Sequence, residues 1–181
     1  MPPPPESNTR SRILHTAFGL FLAHGYDGTG MAQLLSACGV SKGAFYHHFA
    51  SKEALYREVV ADFFLKPFVE IAPDALVTGS VEDSQDALAA LYAHLPEQVA
   101  EATGQDMARY FAFFFESLSR LPDVRTTIRA RYDALITRLA ETIRAERGIP
   151  AADAEQEARA IVARFEGELY LAAVFENKET S

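Results

Sequence analysis

Residues 39–49 read GVSKGAFYHHF. Gly39 permits the positive φ that lets a chain leave one helix and turn sharply, Val40 is apolar enough to plug the turn, and Ser41 brings the hydroxyl of a helix N-cap. Phe45 and Phe49 fall four residues apart and share one face of the helix that follows, while Tyr46, His47 and His48 place hydrogen-bonding groups over the next turn. Just upstream, TGMAQLLSAC at 29–38 puts Met31, Leu34, Leu35 and Cys38 at i, i+3, i+4 and i+7 of a short amphipathic helix. Two short helices joined by a tight Gly turn are a helix-turn-helix.

Gly43 sharpens this reading. A Gly inside a helix costs on the order of 1 kcal/mol relative to Ala, so a bare backbone there points to close approach by something outside the chain. Ser41, Lys42 and Gly43 open the helix, where unpaired amides and the helix dipole attract anions such as phosphate. The competing reading is a short surface helix that happens to hold a Gly.

The surrounding stretch, ILHTAFGLFLAHGYDGTGMAQLLSACGVSKGAFYHHFASKEALY at 13–56, resembles the DNA-binding domain of TetR/AcrR-family transcriptional regulators. The likeness rests on LFxxxGY closing the first helix, on AxGVSKGxFYxHF, and on SKEALY opening a fourth helix. It implies an all-α chain of about nine helices: a three-helix reader followed by a larger helical ligand-binding and dimerisation domain. By the same resemblance Lys42, Gly43 and Ala44 face base edges, His47 reads bases, and Ser41, Tyr46, His48 and Lys52 hold phosphates. Two departures stand out. Gly30 occupies a position where the family commonly has Ser or Thr, so a hydroxyl cap and phosphate contact is lost unless Thr29 supplies it. Ala44 can touch a thymine methyl but makes no hydrogen bond.

The chain has 181 residues and a net charge of −8, a balance that by itself argues against nucleic acid. The charge is unevenly placed. The first 66 residues carry six basic and five acidic side chains, and the remainder eleven and twenty, so the acid lies away from the reader. A single cysteine excludes an internal disulfide or thiolate cluster and suits a reducing cytoplasm. No apolar run is long enough for a membrane span. The expected organisation is a disordered arm at 1–8, containing four prolines, a DNA-binding domain at 9–50, and an effector-binding and dimerisation domain at 51–181. Arg10 and Arg12 either reach a phosphate or minor groove, or are solvated on the first helix.

Beyond Phe49 the pattern is helical, punctuated by Pro and Gly. Helices are expected from Ser51 to about Leu65, from about Val81 to Ala102 with an interruption near Pro96, from Gln105 to Arg120, from Pro122 to Gly148, and from about Ala152 to Phe175. The segment YFAFFFESL at 110–118 is aromatic on nearly every side and so expected to be enclosed. Tyr110, Phe111, Phe114 and Phe115 with Phe63, Phe64, Phe68, Tyr92 and His94 could line an effector cavity, with Arg109, Glu116 and His94 as polar handles; they could equally be core. In the last two helices the stripes Tyr132, Leu135, Leu139 and Ile161, Phe165, Leu169, Ala172, Ala173 suit a two-fold four-helix seam, or packing within one chain. Cys38 reads as a small buried hydrophobe, and adjacent His47 and His48 diverge by about 100° on a helix and make no metal pair. No catalytic triad, phosphate loop or metal cluster is recognisable, so neither enzyme nor cofactor is expected. The leading expectation is a homodimeric, effector-released repressor of a palindromic operator. The alternatives are a constitutive DNA-binding regulator and a helical carrier or enzyme.

Overall fold

The structure is a computed structural model that describes residues 9–66, 71 and 73–175. The expected arm at 1–8 and Phe68 lie outside the described residues. Nine α-helices and no strand occur among those described: α1 Thr9–Gly28, α2 Met31–Cys38, α3 Lys42–His48, α4 Lys52–Val59, α5 Pro73–Leu76, α6 Val81–Thr103, α7 Met107–Arg120, α8 Pro122–Arg147 and α9 Ala151–Phe175. The sequence pattern missed only α5, a single turn in what reads as a loop. A π-helical turn, Val60–Leu65, carries α4 onward, so this helix reaches the expected Leu65 with altered pitch. Pro96 lies inside α6 without ending it.

Contacts divide these helices into two compact units, one holding residues up to 68 together with 109–124 and the other holding 69–108 with 125–181. The division differs from a boundary at residue 50, because α4 and most of α7 pack with the reader. In the first unit α1 buries Ile13, Leu14, Ala17, Phe18, Phe21 and Leu22 along one face. Its last turn is broken at Gly25, whose φ of 71° and ψ of 173° suit a residue without Cβ. Phe113 of α7 is buried against Phe18, Tyr56 and Phe64. Losing such a side chain to Ala costs about 3–5 kcal/mol.

The second unit is built around Val81 and Leu88 of α6, Leu135, Ile136, Leu139 and Ile143 of α8, and Ala154, Ala158, Ile161, Val162 and Phe165 of α9. The stripes read as a dimer seam are therefore largely the core of one chain: Leu135, Leu139, Ile161, Phe165 and Leu169 are buried and Tyr132 packs on them. Hydrophobic periodicity marks which face is covered and not what covers it. Ala172 is exposed and Ala173 half-buried.

Candidate nucleic-acid interface

The turn between α2 and α3 forms as its sequence dictates. Gly39 takes φ 62° and ψ 37° and returns its N–H to Leu35 and Ser36, and Val40 N–H reaches Leu35 O at 3.1 Å. Ser41 then caps α3, its Oγ accepting from Ala44 N–H at 3.1 Å. Phe45 and Phe49 are buried and fix the inner face, so the opposite face presents Ser41, Lys42, Gly43, Tyr46 and His47, all exposed, with Ala44 and His48 half-exposed. Tyr46 is 45% exposed with its ring edge on Phe45, which leaves its hydroxyl at the surface.

Gly43 has no reason inside the chain. Its backbone is outside the positive-φ set, and a Cβ placed there would meet nothing nearer than Ser41 Oγ at 4.0 Å. The missing side chain leaves clearance on the outer face, as backbone passing close to another molecule requires.

One expected contact is corrected, and a second residue has partners the sequence did not show. Thr29 is fully buried and its hydroxyl donates to Gly25 O at 2.7 Å, closing the break in α1. It reaches no phosphate and does not cap α2, whose N-cap Gly30 has no side-chain bond. Lys52 is half-buried; its Nζ donates to Tyr26 O at 2.7 Å and Thr29 O at 2.9 Å and lies 4.0 Å from the centre of the Tyr26 ring. Two of its three donors are spent on the turn between α1 and α2, so its first role is to hold the reader together.

That turn has a second clamp, which sequence reading missed. Both carboxylate oxygens of Glu116 accept from Tyr26 N–H, at 3.1 and 3.0 Å. Arg120 donates to Asp27 Oδ2 at 2.6 Å, and its guanidinium carbon lies 4.0 Å from the Tyr26 ring centre. Arg57 donates to both oxygens of Asp123 at 3.0 Å, and this charged pairing holds the Asp123 carboxyl below its ordinary value. Glu116 is thus a backbone cap and not an effector handle. No local pattern could reveal these partners, which lie 66 to 93 residues apart.

The aromatic set expected to line one cavity is divided between the two units. Phe63 stacks on Phe18 at 4.7 Å and Phe64 meets Tyr110 and Phe114, all within the first unit, while Phe111 stacks on Phe115. Phe115 is 56% exposed, contrary to an enclosed helix. Tyr92 and His94 belong to the second unit, where His94 is exposed. Cys38 is buried, and burial pushes its thiol above the ordinary value. No group of ligating side chains suited to a metal ion occurs among the described residues, and no described helix is long and apolar enough to cross a membrane.

Residues 13–59 match the family model of bacterial regulatory proteins of the tetR family. The HTH-type transcriptional repressor AcnR of Corynebacterium efficiens is 33% identical over 81 residues, 43% of either chain. The HTH-type transcriptional regulator UidR of Escherichia coli K12 is 40% identical over 52 residues, 29% of this chain and 26% of the relative. The chain thus spans under half the length of these curated relatives. Among solved structures, the TetR-family transcriptional regulator PfmR of Thermus thermophilus superposes over 93% of this chain and 88% of its own, with TM-score 0.62 and 26% identity.

Proposed function

We propose that this chain, a member of the TetR family of DNA-binding transcription regulators through its N-terminal domain, acts as a homodimeric repressor that leaves a palindromic operator when a small apolar or aromatic effector binds. The observation that carries DNA reading is the outer face of α3: a capped helix showing Ser41, Lys42, Tyr46 and His47, with Gly43 bare for no internal reason. Hydroxyl, ammonium and imidazole groups there suit phosphates and base edges in a major groove, and half-bare Ala44 suits a thymine methyl.

Two half-sites need two readers. The surface that supports a homodimer is the face of α8 and α9 left uncovered by the second unit's core. On α8, Ala130, Ala134 and Thr137 are exposed; on α9, Ala160, Ala163, Leu171 and Val174 are exposed at matching helical spacing, and Gly167 has open space where a Cβ would be. Small residues permit close helix approach, and the terminal cluster Tyr170, Leu171, Val174 and Phe175, the last 74% exposed, provides apolar area that a lone chain leaves in water. Release by an effector is supported by the clamp of α7 on the reader: a displacement of α7 would pull Glu116 and Arg120 and so move the turn that seats α2 and α3.

The test is to capture genomic fragments with the purified chain, footprint the protected sequence and sediment the protein alone and bound. A two-fold symmetric footprint bound by a dimer is expected. Absence of sequence-selective protection refutes the reading, and protection that no small molecule from a thermal-shift screen relieves replaces the switch with constitutive regulation.

A further inference from the structure

Glu116 and Arg120 stand four residues apart on α7, the spacing and order at which a carboxylate and a cation of one helix pair with each other. They do not pair here. Glu116 turns both oxygens to the Tyr26 N–H, while Arg120 donates to Asp27 and lies over the Tyr26 ring. Each of these charged groups is thus committed to the end of α1, although its natural partner lies one turn away on its own helix.

The same place holds two buried polar atoms to which no described residue bonds, the Tyr56 hydroxyl and Arg120 Nε. Tyr56 of α4 is fully buried, its ring set edge-on to Tyr26 at 5.0 Å and to Phe113 of α7 at 5.7 Å. A buried donor without an acceptor costs free energy that a bonded one does not, so such a group calls for a reason. Glu116 is the acceptor at hand. After burial itself, its charge does most to hold the Tyr56 phenol above its ordinary value, with the Arg120 charge opposing. One carboxylate therefore has two sets of donors: the backbone N–H of Tyr26, which it holds, and a phenol with a guanidinium N–H, which it does not.

We propose that Glu116 is a two-position latch: seated, it caps Tyr26 N–H and braces the reader; released, it turns to the Tyr56 hydroxyl and Arg120 Nε, and the end of α1 loses its cap. The proposal rests on the ligand-responsive reading above and adds the element whose two arrangements an effector would bias. The released position gives the carboxylate a countercharge and two side-chain donors. The seated position satisfies the backbone instead and leaves those donors unbonded. Because each arrangement leaves some donor unmet, a small displacement of α7 decides between them.

The latch can be read without any ligand, from hydrogen exchange at the Tyr26 amide of the full chain followed by NMR, because Glu116 covers that amide only when seated. Tyr56→Phe removes a hydroxyl that is unbonded in the seated position and a donor in the released one. It should melt at or above the wild-type temperature and slow Tyr26 exchange about tenfold, the equivalent of one hydrogen bond to a charged group. Asp27→Asn weakens the exposed tether of Arg120 and frees the guanidinium for Glu116. Tyr26 exchange should then quicken severalfold, and adding Tyr56→Phe should return it to the wild-type rate or below. A lowered melting temperature in Tyr56→Phe, or failure of that variant to fold, shows that the hydroxyl is already bonded and overturns the latch. Unchanged Tyr26 exchange in Tyr56→Phe, or quickening in Asp27→Asn that Tyr56→Phe does not reverse, overturns it as well. Anisotropy with the footprinted operator separates the latch from the functional reading. Weaker operator binding by Asp27→Asn, restored in the double variant, supports both. Exchange that follows the variants while operator affinity does not keeps the latch and refutes its part in release, and absence of sequence-selective binding in every variant refutes the functional reading alone.

Discussion

Replacing Gly43 separates fold from recognition more cleanly than any other single change. The position lies within α3, has φ outside the positive range, and offers a new Cβ no contact nearer than 4.0 Å. Nothing in the chain opposes Gly43→Ala, and the helix should gain up to about 1 kcal/mol from the lost backbone freedom of Gly. In a chain of this size that corresponds to a melting temperature higher by about 2–4 °C. Binding moves the opposite way, because the added methyl occupies the clearance between backbone and groove. Gly43→Ala should weaken operator affinity by about tenfold, some 1.4 kcal/mol. Gly43→Leu should erase the specific component altogether and leave the affinity for random duplex, typically 10³ to 10⁷ weaker than specific binding. Fluorescence anisotropy with the footprinted operator and a scrambled duplex at one fixed salt concentration, alongside melting curves, reads both effects. Operator affinity unchanged in Gly43→Leu would refute the close-approach argument, and a melting temperature lowered in Gly43→Ala would show that the residue is bare for an internal reason.

Lys52→Met, which keeps the aliphatic stem and removes the donors to Tyr26 O and Thr29 O, should cost about 1–3 kcal/mol of stability while leaving the salt dependence of DNA binding unchanged; a slope shallower by about 0.9 per protomer would restore Lys52 to the phosphates. Leu171→Glu, on the exposed end of α9, should give monomers by sedimentation with little change in monomer stability, whereas Leu139→Ala in the buried core should cost about 2–5 kcal/mol; a dimeric Leu171→Glu refutes that face. The lowered carboxyl value of Asp123 means that its pairing with Arg57 stabilises the chain above the ordinary Asp value and is lost as pH falls through the lowered folded one. Melting curves of Asp123→Asn from pH 7 to pH 3 should accordingly fall less steeply in acid than wild type, and parallel curves would show that the pair contributes nothing.

The reader was legible in the sequence because its determinants are local. Gly39 and Ser41 set the turn by their own backbone and hydroxyl, and Phe45 with Phe49 decide which side faces in, all within eleven residues. Tyr92 could be picked out as one aromatic among several, but Glu166, 74 residues away, whose carboxylate accepts from its hydroxyl, could not be joined to it. The dimer stripe failed for a related reason. Leu135, Leu139 and Phe165 are the large apolar residues of their stripes and are claimed by their own core, while much of the face left exposed is small residues such as Ala130, Ala134, Ala160 and Ala163, which read as ordinary helix formers. The intrachain bonds of Lys52 were not legible because its motif is local and its partners, Tyr26 and Thr29, are 26 and 23 residues away.

Those long-range bonds also explain how a reader can operate in an acidic chain. Of the six basic side chains in the first 66 residues, Arg10 is paired with Glu58, Arg57 with Asp123 and Lys52 with two carbonyls. Arg12 and Lys42 are exposed and have no ion pair among the described residues. On the proposed reading few cations would thus be available to displace counterions from a duplex, and non-specific affinity, which depends on that release, should be correspondingly small. On the proposed reading, what remains would be contributed by groups with direction: the Ser41 and Tyr46 hydroxyls toward phosphates, and the His47 imidazole and the backbone laid bare at Gly43 toward base edges. The spent cations are not lost to function. By fixing Tyr26 from both α4 and α7, Lys52 and Arg120 brace the turn that seats α2 and α3, so that on the proposed reading α3 would meet DNA already in position and lose little conformational entropy on binding.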